Sequence, residues 1–134
     1  IMKIISVGVD IIDNTRIKKS IKNSKFISRI FSKKEINLSK KIRNKTNFYS
    51  KRFAAKESLS KAIGTGFRKD LNFKDITIVN DKYGKPYYEL NNKVKNLIYS
   101  KFNTKKIKIS LSLADEKKYS IAFSVIHKWL VKIQ

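Results

Sequence analysis

The chain has 134 residues, and 32 Lys and Arg against 10 Asp and Glu leave it at +22. The length suits one domain, residues 1–134, with enough chain to bury a core; 41% hydrophobic and 11% aromatic residues exclude a disordered basic tail. With no Cys and a single His, His127, the chain has no disulfide framework, thiolate zinc site or cysteine nucleophile, and a histidine triad or multi-histidine metal site would rest on one residue.

No apolar run approaches the ~18 residues of a membrane-spanning helix. The opening Ile1–Ile12 is short and carries Asp10, which makes it a poor signal peptide. A cytoplasmic protein with no membrane insertion is expected. The positive charge has two sources. Lys outnumbers Arg 27 to 5, and Ile (20) and Asn (11) are abundant, a bias that runs through the whole chain. Residues 14–56 are also locally basic, with 15 Lys and Arg against one acid, Glu35. Such a field attracts acidic proteins, nucleotides, nucleic acid or anionic membrane.

In chain order, Lys3–Ile12 alternates as a strand does, with Ile5, Val7, Val9 and Ile11 on one face and Ser6, Gly8, Asp10 and Ile12 on the other. Asp13 and Asn14 can cap the segment that follows, where Ile17, Ile21, Phe26, Ile27, Ile30 and Phe31 predict one or two short helices. Ser32–Glu35 has the spacing of a capping box, opening a basic helix from about Lys33 to Arg43. The clearest helix runs from Asn47 to about Ala62, with Phe48, Ala55, Leu59 and Ala62 on one stripe and Gly64-Thr65-Gly66 at its end. Ile76–Val79 and Tyr87–Leu90 read as strands joined by the turn Asn80–Gly84, with Pro86 at a strand start. Asn92–Lys101 reads as a helix. Ile107–Leu113 and Tyr119–Val125 alternate as strands about the turn Asp115–Lys118. This order gives an α+β domain and not a parallel Rossmann sheet.

The candidate chemistry starts from two carboxylates, Asp10 on the first strand and Glu57 on the long helix. The simpler reading is a structural ion pair of Glu57 with Lys61 or Arg52. The functional reading is a magnesium site, because Mg²⁺ takes one or two carboxylates and fills its shell with water and phosphate oxygens. Lys56, Glu57, Ser60 and Lys61 form a polar strip, and Lys61 projects to the side of Glu57 one turn away. A carboxylate and an ammonium facing one space can clamp a diphosphate; an ordinary solvated helix face has the same pattern. Gly64-Thr65-Gly66 is explained more cheaply as a helix cap than as a phosphate cradle. Gly84-Lys85-Pro86 is turn chemistry that can also hold an anion. Ser110 and Ser112, facing away from the apolar side of their strand, suit either a half-exposed strand or hydroxyl donors to phosphate. His127, beside Trp129, reads as packing or surface.

Together these segments resemble a known family. Gly8-Val9-Asp10-Ile11, the block Arg52–Gly66, Asn80-Asp81 with Gly84-Lys85-Pro86, and Ser110-Leu111-Ser112 are similar to the holo-acyl-carrier-protein synthases, the short bacterial type of 4′-phosphopantetheinyl transferase. The likeness runs in order over about Val7 to Ile126, and the central block is the most specific part. It implies the 4′-phosphopantetheinyl transferase-like fold, a small antiparallel sheet packed on a long central helix plus short helices. It implies transfer of the phosphopantetheine arm of coenzyme A to a serine of apo acyl carrier protein in fatty acid biosynthesis, with release of adenosine 3′,5′-bisphosphate. By the resemblance, Asp10 and Glu57 hold Mg²⁺ and Lys61 neutralises the phosphate under attack. Arg52, Lys61, Gly64, Gly84, Lys85, Pro86, Ser110 and Ser112 bind coenzyme A. A metal-bound water or a nearby carboxylate takes the serine proton. Arg16, Lys19, Lys22, Lys25 and Arg29, with Ile21 and Phe26 as apolar contacts, dock the acidic carrier protein. The family is typically a homotrimer with sites between subunits. One departure stands out: the family usually has His just after Ser-x-Ser, where this chain has Leu113.

Two other readings compete. The charge of +22 and 14 Phe and Tyr residues suit a basic nucleic-acid-binding module with salt-sensitive binding, although the central block has paired Lys-Glu chemistry in place of a stacking row. A peripheral membrane protein has only the basic segment 14–45 behind it.

Overall fold

A computed structural model of the chain describes residues 1–65, 67 and 71–130. Strand β1 (Met2–Asp13) opens the fold and is followed by three short helices, α1 (Asn14–Ser20), α2 (Ser24–Ile30) and α3 (Lys33–Ser39). The long helix α4 (Lys45–Ile63) comes next, then a 3₁₀ turn at Phe73–Asp75. The hairpin β2 (Ile76–Asn80) and β3 (Pro86–Leu90), helix α5 (Asn92–Phe102) and the hairpin β4 (Ile107–Asp115) and β5 (Tyr119–Trp129) complete it. The antiparallel sheet has the order β1-β5-β4, and β2 and β3 form a separate two-stranded sheet. This is the α+β architecture expected from the sequence.

Local chemistry sets the helix ends. Asp13 caps α1 by accepting from the Thr15 N–H (2.9 Å), and Asn23, Asn44 and Asn91 cap α2, α4 and α5. The predicted capping box forms: Ser32 and Glu35 exchange their side-chain and backbone hydrogen bonds. α4 ends at Gly64, whose φ of 87° is left-handed. Several bounds shift. The basic helix stops at Ser39, well before Arg43, and β4 and β5 run past Leu113 and Val125. Asn14 is a buried helical residue and caps nothing.

α4 lies across the inner face of the sheet and is buried almost all round, so its apolar positions form no single stripe. It approaches β1 so closely that a Cβ on Gly8 would stand 1.9 Å from the Ser58 carbonyl oxygen. Small residues make this approach possible: Ser120, Ala122 and Ser124 line the same face of β5. Tyr88 of β3 donates to Ala55 O (2.5 Å) and meets Ser124 Oγ at 2.6 Å, which ties the hairpin to both helix and sheet. Burial pushes the Tyr88 phenol up to about 12.

The outer face of the sheet carries the more apolar of the two rows that the alternation of β1 distinguishes. Val7, Val9 and Ile11 are between 51% and 60% exposed. Val9 pairs with Phe123 and Ile11 with Ile121, and both partners are exposed too. The inward face of β1 is Gly8, Asp10 and Ile12: at Gly8 the α4 backbone leaves no room for a side chain, while Ile12 enters the core.

Candidate active site

The predicted site residues fall into three groups. The first joins β1 to the C-terminal half of α4. Asp10 projects from the inner face of β1, and Lys61 donates to its Oδ1 (3.1 Å) and to Val9 O (3.0 Å). Glu57 lies one turn before Lys61. Burial first, and then the negative charge of Asp10, hold the Glu57 carboxyl above the usual carboxylate range; Lys61 and Arg16 oppose this. The two acids therefore feel one another across the strand–helix junction. The expected ion pair of Glu57 with Lys61 or Arg52 does not form: among the described residues Glu57 has no ion-pair partner, Lys61 has turned to Asp10, and Arg52 leaves α4 on another side.

The polar strip also needs correction. Ser60 is buried and bonds back to Glu57 O (2.8 Å). Lys56 is fully buried and belongs to the scaffold. Its ammonium donates to Glu35 Oε1 (2.7 Å), to Phe73 O (2.9 Å) and to Ile76 O. Burial holds the Lys56 amine below its ordinary range, against the pull of Glu35. The capping box gave no hint that Glu35 would also meet an ammonium 21 residues along the chain.

The second group surrounds Arg52. Its guanidinium stacks over Phe48 (3.7 Å to the ring centroid) and donates to Asn80 Oδ1 (2.9 Å). Burial lowers its pKa to about 10, so it stays charged at neutral pH. Asn80 in turn donates to Gly84 O (2.9 Å). Asp81 accepts from the N–H groups of Tyr83 and Lys85 (both 2.9 Å), and Gly84 takes a φ of 85°. The Gly84-Lys85-Pro86 turn is thus held rigid against α4, with Pro86 at the start of β3 as expected. Leu113 lines a cleft of 280 Å³ with Arg52, Asn80 and Asp115.

The third group is on the outer sheet face. Ser110 and Ser112 pair with Val125 and Phe123, the row that carries Val7 and Val9. Ser110 Oγ is 3.2 Å from His127 Nε2, a contact the sequence reading did not foresee. Within one chain Ser110 and Ser112 are therefore across the sheet from Asp10. Gly64 serves as the α4 cap, and Gly66 lies outside the described residues.

Of the docking candidates, Arg16, Lys19, Lys22, Lys25 and Arg29 are exposed, on or beside α1 and α2. Ile21 and Phe26 are half-buried against the core, and Phe26 packs on Phe31 and Phe53 with ring centroids 6.2 and 6.3 Å away. Less of their surface is available to a partner than the sequence implied.

Among the described residues no cluster of three or more His, Cys, Asp and Glu exists. Asp10 and Glu57 offer a two-carboxylate, all-oxygen donor set. It fits a hard cation such as Mg²⁺, which keeps water or phosphate in its remaining positions. The mutual repulsion of the two acids is the electrostatic complement of such an ion. No helix among the described residues is long and apolar enough to cross a membrane.

Comparison with known proteins identifies the family. Residues 6–124 match the family described as the 4′-phosphopantetheinyl transferase superfamily. The chain is 57% identical over 127 residues to the holo-[acyl-carrier-protein] synthase of Pelagibacter ubique, covering 95% of this chain and 99% of that one. It also resembles the crystal structure of the holo-[acyl-carrier-protein] synthase of Neisseria meningitidis (TM-score 0.84, 32% identity, 92% of this chain and 98% of that one). A third likeness is to the Bacillus anthracis enzyme in complex with CoA (3′,5′-ADP) (TM-score 0.78, 34% identity, 96% and 100%). The nucleic-acid reading finds no support in these matches. The chain belongs to the 4′-phosphopantetheinyl transferase superfamily, among its holo-[acyl-carrier-protein] synthases.

Proposed function

We propose that the protein transfers the 4′-phosphopantetheine group of coenzyme A to a serine hydroxyl of apo acyl carrier protein, giving the holo carrier and adenosine 3′,5′-bisphosphate. The observation that carries this reading is the meeting of Asp10, Glu57 and Lys61 at the β1–α4 junction. Mg²⁺ held by the two carboxylates would neutralise the diphosphate of coenzyme A and favour loss of the bisphosphate leaving group. Lys61, already turned to Asp10, supplies an ammonium to the phosphoryl oxygens as charge builds on them. Arg52, buried and fixed by Asn80, offers a permanent cation beside the Gly84-Lys85-Pro86 turn for the nucleotide end. The likeness to an enzyme bound to CoA (3′,5′-ADP) supports coenzyme A as the donor. The same reading puts the enzyme in the cytoplasm, serving fatty acid biosynthesis.

The active unit in this reading is a homotrimer. Val7, Val9, Ile11, Ile121 and Phe123 expose a contiguous apolar face that water does not favour. Ser110 and Ser112 border that face, across the sheet from Asp10. A second copy seated there would bury the row and bring its own α4 and Asp10 toward these hydroxyls. Sedimentation should give three times the chain mass, and Phe123→Glu should lower it.

The direct test is mass spectrometry of an apo carrier protein incubated with the protein, Mg²⁺ and coenzyme A. A gain of one phosphopantetheine on the acceptor serine is expected. An unchanged carrier mass would refute the proposal.

A further inference from the structure

The β4–β5 turn is welded to the start of α1. Asn14 is only 3% exposed and every polar group of its side chain is used. Its backbone N–H donates to Lys118 O (2.7 Å), and its amide donates to Glu116 O (2.9 Å) and Lys117 O (3.2 Å). Its Oδ1 accepts from Ser120 Oγ (2.7 Å). A buried, fully paired amide fixes its neighbours in one geometry. The turn and α1 therefore form one rigid surface, although more than a hundred residues separate them in the chain.

That surface collects three ammonium groups around one cleft of 530 Å³: Lys18 from α1, and Lys117 and Lys118 from the turn. All three are exposed, and among the described residues none forms an ion pair. Asp115, at the end of β4, is already engaged by Asn47 (2.8 Å) and Lys51 (3.7 Å). Glu116 contributes the one other acid of the turn. Thr46 adds a hydroxyl to the wall, whereas the Thr15 hydroxyl is already donated to Asp13, the α1 cap, whose carboxylate also feels Lys118. Lys18 is two residues from Arg16, so the two leave α1 on opposite flanks. Arg16 lies toward Glu57. α1 is thus a ridge with the two acids on one side and a basic cleft on the other.

We propose that this cleft is a second contact for the acidic carrier protein. The carrier straddles α1, presenting its serine on the Arg16 flank and seating acidic side chains against Lys18, Lys117 and Lys118. The inference rests on the transferase reading. It adds residues that the helix segment alone does not contain.

The test is steady-state transfer with apo carrier protein and coenzyme A at low salt. Lys117→Glu/Lys118→Glu should raise KM for the carrier roughly tenfold while KM for coenzyme A stays put, and the effect should shrink in about 0.5 M salt. Adding Lys18→Glu should raise it further. The control is Lys105→Glu/Lys106→Glu, the same charge change at the opposite end of β4, which should move the carrier KM less than about twofold. The milder Lys117→Gln/Lys118→Gln should act in the same direction if charge reversal harms folding. Equal shifts in variant and control would overturn the proposal, since net charge alone would then be acting. So would an unchanged carrier KM in Lys117→Glu/Lys118→Glu. If the unaltered protein modifies no carrier at all, the transferase reading itself falls, and this inference with it.

Discussion

Lys56 and Glu57 are neighbours on one helix and have opposite fates. Lys56 is 0% exposed, and its charge is met by Glu35 and two carbonyl oxygens. Glu57 is partly open to solvent, faces a like charge at Asp10, and has no ion-pair partner among the described residues. A satisfied buried pair fixes a scaffold; two facing acids that share one lysine, bonded to Asp10 alone, are held ready for a further cation. The difference arises from what lies opposite each residue. α3 and the 3₁₀ turn bring acceptors to Lys56, whereas β1 brings another carboxylate to Glu57.

Substitutions can break this contrast from either side. The largest effect is expected at the open pair. Asp10→Ala or Glu57→Ala should lower kcat by roughly a thousandfold or more, with the melting transition preserved. Wild-type kcat in either variant would end the assignment. The next effect belongs to the closed pair. Lys56→Met leaves Glu35 buried without its cation and should cost about 3–5 kcal/mol in denaturant unfolding. Lys56→Met with Glu35→Gln should recover part of that loss, because no uncompensated charge remains. A neutral single variant would show the pair to be dispensable.

The smallest effect sharpens the comparison by pH. The Glu57 carboxyl is raised in the folded state, so its contribution favours folding below its unfolded value near 4.5 and is lost as pH rises through the folded value. Without divalent metal at pH 7, Glu57→Gln should therefore melt higher than the unaltered protein while being inactive. The advantage should vanish below about pH 4. A lower melting temperature at pH 7 would mean that Glu57 stabilises the fold and is not strained against Asp10.

Much of this was legible in the residues themselves. Alternation located β1, β4 and β5, Ser32–Glu35 announced a helix start, and the Arg52–Gly66 block pointed to the family. The inward face of β1 was not legible from hydropathy, because α4 passes over Gly8 on that face and the more apolar row is left outside. Gly8, in register with Ser124, was the available signal. Lys56 could not be told from Glu57, since α4 is buried over most of its circumference and its apolar periodicity is weak. The Asn14 weld joins residues far apart in sequence and needed the fold to be seen.

The central claim is that Asp10 and Glu57 share one divalent ion. Mn²⁺ in place of Mg²⁺ makes this directly measurable by electron paramagnetic resonance titration in the presence of coenzyme A. One tight Mn²⁺ site per chain is predicted for the unaltered protein, weakened at least about tenfold in both Asp10→Asn and Glu57→Gln. Undiminished Mn²⁺ binding in the two variants would contradict the account.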